Sequence, residues 1–214
     1  MKLKELFLSA LYPEDVACCV CNKEAVLDSH GLCENCCKLI LPAPVFSLNE
    51  DVNGTAAGIK YNDAASEMVH RFKYYGCQYL GRNLASFMEL PKEWQADAII
   101  PVPLHPARLK ERGYNQSLIL AEDLGRGYDI PIRDTLLKRI RNTQMQSMTS
   151  REERQANVKD AFRASKRCRG LSIILVDDVI TSGSTSEECA RALKAAGADK
   201  VYVIAACYAG GQES

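Results

Sequence analysis

The chain has 214 residues, of which 47% are hydrophobic, and this length is enough to bury one sizeable core with a small appendage. Its 27 lysines and arginines balance its 27 aspartates and glutamates, so the overall charge indicates neither nucleic acid nor a membrane surface as a partner. No apolar run approaches the roughly 20 residues that a membrane-spanning helix needs. We expect a cytoplasmic protein with one α/β domain and a small second unit.

The N-terminal residues combine lysines with an apolar patch, as a signal peptide does. However, Glu5 interrupts the patch, and no small-residue cleavage site follows it. The apolar residues between Leu3 and Leu11 recur at helical spacing, and Pro13 ends the pattern. This pattern predicts a short amphipathic helix.

Six of the ten cysteines lie in the segment 18–37. Four of them form two C-x-x-C pairs separated by eleven residues: Cys18, Cys21, Cys33 and Cys36. Two such turns can close a tetrahedral shell of four thiolates around Zn²⁺ with no open position, so the predicted metal is structural. Because too few apolar residues surround the pairs to form a core, we expect this zinc ribbon to need its metal to fold.

The cysteine spacing leaves alternatives open. Cys19, Cys37 or His30 can substitute for one of the four ligands, and the cluster can also be a group of reduced cysteines or a pair of disulfides. The proline-punctuated residues after the cysteines predict a linker. This linker divides the chain into an N-terminal helix with a zinc ribbon (1–46) and a second domain (47–214).

The second domain begins with a predicted edge strand at residues 55–61 and a helix from Asp63 to Lys73. A turn and another helix to about Leu90 follow. Basic and aromatic residues cluster at the turn: Arg71, Lys73, Tyr74 and Tyr75. They indicate either a surface turn with snorkelling side chains or a contact between Lys73 and a phosphate group.

A second buried strand is predicted from Asp97, and prolines end it. The loop that follows would lie at the carboxyl end of a parallel strand, where ligands of such sheets bind. Arg108 and Arg112 of this loop suit bidentate contacts with phosphate oxygens. The neighbouring His105 is more simply a hydrogen-bonding surface residue than an acid or base. The next helix is expected at residues 113–125.

A polar and basic segment follows a short predicted strand at residues 136–140. Between Lys138 and Arg169 the sequence has ten lysines and arginines against three acidic residues. A long structureless loop inside a compact domain is usually functional or disordered. The segment therefore either meets an anion or forms a solvated charged face.

The residues from 171 to 197 have the order of a ligand-binding strand, loop and helix. The nearly continuous apolar run at 171–176 predicts a parallel strand that is covered on both faces. A hydroxylic loop at 181–185 follows, in which Gly183 allows a tight turn. Main-chain N–H groups and hydroxyls at the start of the next helix favour a phosphate. Another buried strand at 201–208 completes the crossover unit.

Two adjacent carboxylates, Asp177 and Asp178, stand between this strand and its loop. They can accept hydrogen bonds from a pair of vicinal sugar hydroxyls. A phosphate and a diol together indicate ribose 5-phosphate. The alternatives are a phosphoacceptor or a different metal site in an ordinary strand, turn and helix.

The run DDVITSGST closely resembles the ribose-phosphate signature of type I phosphoribosyltransferases, which bind phosphoribosyl pyrophosphate (PRPP) with magnesium. The resemblance implies that the ribose 5-phosphate moiety is held by Asp177, Asp178, Val179, Ile180, Thr181, Ser182, Gly183, Ser184 and Thr185. It also implies pyrophosphate contacts from Lys73, Arg108 and Arg112. In that family a flexible basic loop closes over PRPP and excludes water. The resemblance implies as the loop's candidate contacts Arg141, Gln146, Arg151, Arg154 and Asn157, of which Arg151 and Arg154 would be catalytic residues beside the two aspartates. Ser182 and Ser184 stand where threonine and alanine are often found, a change that keeps or adds hydroxyls.

Over nearly the whole chain, the order of the motifs resembles the ComF family of competence-associated proteins. The motifs are the CxxC…CxxC ribbon, IPVPLHPARLKERGYNQ, RNTQMQSMTSREERQANVKDAF and VDDVITSGST. That family joins a zinc finger to a phosphoribosyltransferase-fold domain and is linked to natural transformation and the handling of single-stranded DNA. The resemblance implies an α/β protein with a parallel-sheet type I phosphoribosyltransferase fold and a small N-terminal zinc ribbon.

Three functions are compatible with the sequence. An enzyme would displace pyrophosphate from the anomeric carbon of the ribose, with Mg²⁺ and the basic loop stabilising the leaving group, although no residue for an acceptor base stands out. The second function is a PRPP-binding module without turnover. The third uses the fold as a scaffold, with the ribbon and the basic segment as a clamp for single-stranded DNA. The implied partners are PRPP or a related ribose phosphate, single-stranded DNA, and competence or recombination proteins.

Overall fold

The computed structural model describes residues 16–143 and 150–210. The amphipathic helix predicted at residues 3–11 lies outside these ranges, as does Gln146. The described strands are β1 (Gly54–Lys60), β2 (Ala98–Pro101), β3 (Leu137–Arg139), β4 (Phe162–Ala164), β5 (Ser172–Ile180) and β6 (Lys200–Tyr208). The described α-helices are α1 (Glu34–Cys37), α2 (Asp63–Tyr74), α3 (Leu80–Ala85), α4 (Pro106–Arg112), α5 (Gln116–Tyr128), α6 (Arg151–Val158) and α7 (Ser184–Ala195). Within the described ranges, no helix is long and apolar enough to cross a membrane.

Four strands form one parallel sheet in the order β1-β6-β5-β2. β5 and β6 at its centre are buried along most of their length, because the sheet is covered on both faces. The predicted edge position of the first strand is confirmed, since β1 stands at one end of this order. The remaining strands, β3 and β4, form an antiparallel pair.

The sheet separates two apolar layers, because alternate residues of a strand point to opposite faces. Ile174 and Val176 of β5 pack into a layer with residues of α2, α3 and α5. Ile173 and Leu175 pack into a second layer with residues of α7 and the β3–β4 pair. The first layer also contains residues of the cysteine-rich segment: Cys18, Cys19, Leu32 and Cys36. That segment therefore packs on the main core.

The helix predicted from Asp63 to Lys73 is confirmed as α2. Its N-cap Asn62 accepts a hydrogen bond from the N–H of Ala65 at 3.0 Å. The apolar residues of one face, including Phe72, are buried. The helix therefore lies flat on the core, and its last turn carries Lys73.

β5 is longer than its apolar run predicted. The strand continues past residue 176 through both aspartates to Ile180, because these residues pair in register with β6. Asp177 lies opposite Ala205, and Ile180 lies opposite Tyr208. The two carboxylates consequently stand on a fixed strand and not on a loop.

The segment after β2, predicted as a loop, contains the short helix α4. Pro106 occupies its first turn, where a missing N–H costs nothing, and the side chain of His105 caps it. Gly113 ends it with a φ of 84°. The helix predicted from Gly113 begins instead at Gln116, as α5.

The prediction of a structureless loop in the basic segment is wrong for residues 151–164, which form α6 and β4. Ser150 and Glu153 make a capping box: the Ser150 side chain accepts the N–H of Glu153, and the Glu153 side chain accepts the N–H of Ser150. This local capping gives the segment an order that apolar periodicity does not reveal.

Candidate functional site

Two carboxylates lie side by side near the carboxyl end of β5. Adjacent strand residues project to opposite faces, so Asp177 and Asp178 meet different partners. Asp178 Oδ1 lies 3.0 Å from Nζ of Lys73. The hydroxyl of Ser117, in α5, donates to Asp177 Oδ1 at 3.2 Å, and the N–H of Asp178 donates to the same oxygen at 2.9 Å. The fold thus joins the last turn of α2, the start of α5 and the end of β5.

The charges of this group perturb one another. Burial raises the pKa of Asp177 to about 7, and the charge of Asp178 adds to the rise while Lys73 opposes it. The pKa of Lys73 is raised: burial lowers it, but the charge and hydrogen bond of Asp178 outweigh burial. A carboxyl that titrates near neutral pH can respond to a bound cation or hydroxyl donor.

The loop after β5 is short and ends at a helix N-terminus. Gly183 is the N-cap of α7 with a φ of 80°, and no described side chain caps the helix there. This φ is one that residues with a side chain rarely adopt, and a Cβ on Gly183 would lie 2.2 Å from Cδ2 of Leu48 and displace that side chain, so glycine is favoured here. The loop predicted to reach Thr185 ends at Gly183, because Ser184 and Thr185 already belong to α7. The N–H groups of this first turn, with the nearby hydroxyls, suit an anion.

These elements surround a cavity of about 490 Å³. Its wall contains five cationic side chains: Lys73, Arg108, Arg112, Arg139 and Arg154. The wall also contains two carboxylates, Asp177 and Asp178, so its cationic side chains outnumber its carboxylates. The twelve residues that the resemblance assigns to PRPP binding line this cavity: Lys73, Arg108, Arg112 and the run Asp177, Asp178, Val179, Ile180, Thr181, Ser182, Gly183, Ser184 and Thr185. The size and charge of the cavity suit a small polyanion that carries hydroxyl groups.

The two arginines predicted in the loop after β2 lie on α4 and reach the cavity from there. Arg108 donates to the carbonyl of Thr143 at 3.0 Å. Arg112 donates to Gln116 Oε1 at 2.7 Å, and its guanidinium carbon lies 5.2 Å from the centre of the Tyr74 ring. These contacts hold both guanidinium groups at the wall.

Five further polar residues of the wall are not predicted from the sequence: Gln116, Ser117, Arg139, Thr143 and Ser186. Gln116 is only 1% exposed, and it opens α5 together with Ser117. The signal in the sequence that points to this helix start is Asn115, which caps α5 by accepting the N–H of Ser117. Arg139 lies on β3, where burial and the charge of Arg108 lower its pKa. Arg139 stands among other basic residues in a short strand, so no local sequence pattern marks it as a residue of the cavity wall.

α6 brings two residues of the basic segment to the cavity, Arg154 and Asn157. Arg141 is exposed and donates to a backbone carbonyl of the same segment. The side chain of Arg151 lies outside what the structure describes, as does residue Gln146.

The cysteine cluster is a second candidate site. Four Sγ atoms lie within 4.8 Å of one another, those of Cys18, Cys21, Cys33 and Cys36. Thiolates about 2.3 Å from a tetrahedral zinc lie about 3.8 Å apart. The Sγ atoms of Cys21 and Cys33 are 3.9 Å apart, so the quartet fits a zinc ion. All ten cysteines lie in the described ranges and are free, which excludes the alternative of two disulfides in this structure.

The electrostatics of the quartet favour a bound dication. Burial raises the pKa of Cys18, but hydrogen bonds from the backbone of Cys33, Cys21 and Val20 lower it to about 6. The pKa of Cys36 is raised by burial and by the neighbouring thiols. The sulfur of Cys18 thus carries negative charge readily, while that of Cys36 needs a neighbouring cation to do so.

The three alternative ligands have other contacts. The Sγ of Cys19 lies 3.7 Å from the carbonyl of His30. The Nδ1 of His30 lies 2.7 Å from the hydroxyl of Ser86. Cys37 is exposed. The quartet with two-residue spacing in both pairs is therefore the set that the fold assembles.

Comparison with known proteins finds a matching family model and several relatives of the chain. A family model described as the phosphoribosyl transferase domain matches residues 114–214. Competence protein F of Haemophilus influenzae is 34% identical over 154 residues, which cover 67% of this chain and 67% of that protein. DNA utilization protein YhgH of Salmonella typhimurium is 32% identical over 160 residues, 69% of this chain and 68% of that protein. Competence protein ComFC of Bacillus subtilis is 31% identical over 137 residues, 62% of this chain and 55% of that protein.

Solved structures show weaker similarity. Glutamine PRPP amidotransferase from B. subtilis, complexed with ADP and GMP, has a TM-score of 0.40 and 24% identity, covering 60% of this chain and 25% of that one. Purine phosphoribosyltransferase from Pyrococcus horikoshii has a TM-score of 0.33 and 16% identity, covering 68% of this chain and 82% of that one. Because both scores are low, the assignment rests on the sequence matches. The chain belongs to the ComF family of competence-associated proteins, with a parallel-sheet type I phosphoribosyltransferase fold and a small N-terminal ribbon whose four cysteines fit zinc.

Proposed function

We propose that the cavity binds PRPP with Mg²⁺, and that the protein is a phosphoribosyltransferase-like member of its family. One observation carries the proposal: Asp177 and Asp178 line the same cavity as a helix N-terminus and five cationic side chains. PRPP carries the groups that match these, namely a 5-phosphate, a ribose with two vicinal hydroxyls, and a pyrophosphate.

Each group of PRPP has partners of suitable chemistry. The ribose hydroxyls donate to the two carboxylates. The 5-phosphate accepts from N–H and hydroxyl groups of the loop and first turn of α7, Thr181 to Thr185, while Val179 and Ile180 anchor that loop through their pairing with β6. The pyrophosphate meets Arg108, Arg112 and Lys73. An ammonium has three donors, so Lys73 can serve both Asp178 and a phosphate oxygen.

Turnover would displace pyrophosphate from the anomeric carbon of the ribose as an acceptor attacks it. Magnesium, when bound, neutralises charge on the pyrophosphate as the bond to it breaks. Asp177 and Asp178 hold the ribose in place for this displacement. Arg154, which lines the cavity, adds positive charge beside the departing group, and we propose Arg151 of the same helix as a second catalytic residue. The helix α6 restricts the entry of water.

We further propose that residues 1–46 and 47–214 are the two domains, and that the cysteine quartet holds a structural Zn²⁺. Four thiolates fill the coordination shell of zinc, so this site supplies no catalytic step.

The names of the relatives support a cellular setting. They are called competence proteins and a DNA utilization protein. We therefore place this protein in the cytoplasm, in the uptake or handling of single-stranded DNA beside competence or recombination proteins.

Calorimetric titration of magnesium-PRPP tests the proposal. We expect saturable binding to the zinc-loaded protein and no binding to the double variant Asp177→Asn, Asp178→Asn. The matched control is Asp199→Asn, which removes an exposed carboxylate and should leave the affinity unchanged. If both the titration and a competition assay show no binding to the folded wild-type protein, the proposal is wrong.

The excess of basic residues between Lys138 and Arg169 favours a second candidate function, a scaffold that clamps single-stranded DNA. Such binding depends steeply on salt, because each neutralised phosphate releases counterions. Salt-dependent DNA binding that disappears in the variant Arg151→Gln, Arg154→Gln would support this function. Binding that is insensitive to salt would contradict it.

A further inference from the structure

The side chain of Arg71 connects the first turn of the cysteine ribbon to the end of α2. Its Nη1 donates to the carbonyl of Cys19 at 3.0 Å. Its Nη2 donates to Asn22 Oδ1 at 3.2 Å and to the hydroxyl of Tyr79 at 2.7 Å. Cys19 lies between two of the four clustered cysteines, and Asn22 follows the second of them with a φ of 57°. Arg71 therefore holds the turn that presents half of the metal ligands.

The second turn of the ribbon is fixed to the same part of the fold. The amide of Asn83, in α3, donates to the carbonyl of His30 at 2.9 Å. The ring of His30 stacks on Phe87, with ring centres 4.2 Å apart. Met68 of α2 contacts the Sγ of Cys19. Both metal-binding turns thus rest on α2 and α3, so their geometry and that of the two helices depend on each other.

The other side of the same helical turn faces the cavity. Residues two apart in an α-helix point about 200° apart around its axis, so Arg71 and Lys73 project to opposite sides. Phe72 between them is fully buried. Lys73 contacts Asp178 at 3.0 Å. The last turn of α2 is therefore held by the ribbon on one side and by the carboxylate pair on the other.

We propose that Arg71 is a positioning residue, which transmits the order of the metal-loaded ribbon to Lys73 and so raises the affinity of the cavity for its anionic ligand. The ligand part of this inference rests on the proposed binding of magnesium-PRPP at the carboxylate pair. The structural link between ribbon and α2 does not depend on it. Metal bound by the four cysteines fixes the first turn, Arg71 fixes the end of α2 against that turn, and Lys73 is held at Asp178.

The first test needs no ligand. Hydrogen exchange is measured over residues 70–75 in the zinc-loaded wild type, in Arg71→Met and in the chelated wild type. We expect both changes to speed exchange at the end of α2, while Arg71→Met keeps its zinc. Arg82→Met is the matched control, because Arg82 is an exposed arginine of neighbouring α3. Exchange that Arg71→Met leaves at the wild-type rate overturns the proposal.

The second test is a double-mutant cycle on the affinity for magnesium-PRPP. Arg71→Met should weaken binding about tenfold, the size expected when a charge-assisted contact is loosened. In a Lys73→Met background the same change should weaken it less than about twofold, because Arg71 acts through Lys73. Equal losses in both backgrounds overturn the proposal. If exchange responds as expected but the wild type binds no PRPP, the structural link is supported and the proposed function is the part that fails.

Discussion

Asp177 is the residue whose protonation controls the charge of the cavity. An aspartate has an ordinary pKa of 3.8, whereas burial raises that of Asp177 to about 7. The folded chain thus prefers the protonated carboxyl. Because the pKa of Asp177 is higher in the folded than in the unfolded chain, this carboxyl contributes to the free energy of unfolding. The contribution is fully present below about pH 4 and is lost as the pH rises through about 7.

Asp177→Asn should therefore stabilise the protein in a pH-dependent way. The amide oxygen of asparagine keeps the hydrogen bonds from Ser117 and from the N–H of Asp178, while the buried charge disappears. Without ligand, we expect the unfolding temperature of the variant to exceed that of the wild type at about pH 8 and to approach it near pH 4. Scanning calorimetry measures the difference. If the unfolding temperatures of the variant and the wild type differ by the same amount at both pH values, ionisation of Asp177 is not the cause of the difference.

At the residue scale, the sequence shows the parts of the cavity that lie close together in the chain. Asp177, Asp178 and the loop to Thr185 form one local motif, and its residues line one cavity. The ion pair between Lys73 and Asp178 joins residues far apart in the sequence. No local pattern specifies such a pair, which depends on how α2 packs against the sheet.

At the element scale, α6 carries Arg154 and Asn157 to the cavity on a helix with few apolar residues. Such a helix depends strongly on its cap, and an N-cap replacement by alanine costs about 1 kcal/mol. We expect Ser150→Ala to speed tryptic cleavage after Arg154, because α6 unfolds more often. The same variant should bind magnesium-PRPP about fivefold more weakly, since a loss of about 1 kcal/mol corresponds to a change of about fivefold in an equilibrium constant.

Ser165→Ala is the matched control, because Ser165 accepts the N–H of Arg167 and caps the short 3-10 helix Lys166–Cys168. It should leave ligand binding unchanged. Equal effects of the two serine variants would show that α6 has no special role at the cavity.

The element boundaries show where sequence patterns stop being informative. The buried strand at residue 171 onward was predicted from its apolar run, but its extension through two aspartates depends on pairing with β6. α4 is not predicted from the sequence, because its prolines are interpreted as a loop signal, although proline is favoured in the first turn of a helix. Capping residues, and not periodicity, mark α6.

At the scale of the whole molecule, the ribbon shares its core with the phosphoribosyltransferase fold. The sequence correctly indicates that residues near the cysteines are too few to form a core of their own. The structure adds what supports them: Cys18, Cys19 and Leu32 pack into the layer that contains Met68 and Phe72. These contacts join residues about 40 or more positions apart in the sequence, so a local sequence pattern cannot predict them.

Loss of one metal ligand should consequently destabilise the whole protein. Cys36→Ser removes a buried member of the quartet, and we expect it to release zinc and to lower the unfolding temperature by about 10 °C, as a loss of about 3 kcal/mol would. Cys37→Ser is the matched control, since Cys37 is exposed and outside the quartet. Zinc content and calorimetry check both variants. If Cys37→Ser loses zinc and Cys36→Ser retains it, the ligand assignment is wrong.

By our proposal, the cavity binds PRPP with its ribose at the carboxylate pair. A crystal structure of the zinc-loaded protein with magnesium-PRPP at saturating concentration tests it most directly. We expect the ribose hydroxyls within hydrogen-bond distance of Asp177 and Asp178, and the 5-phosphate at the start of α7, between Thr181 and Thr185. Density for PRPP at another surface, with neither carboxylate in contact, would contradict the claim.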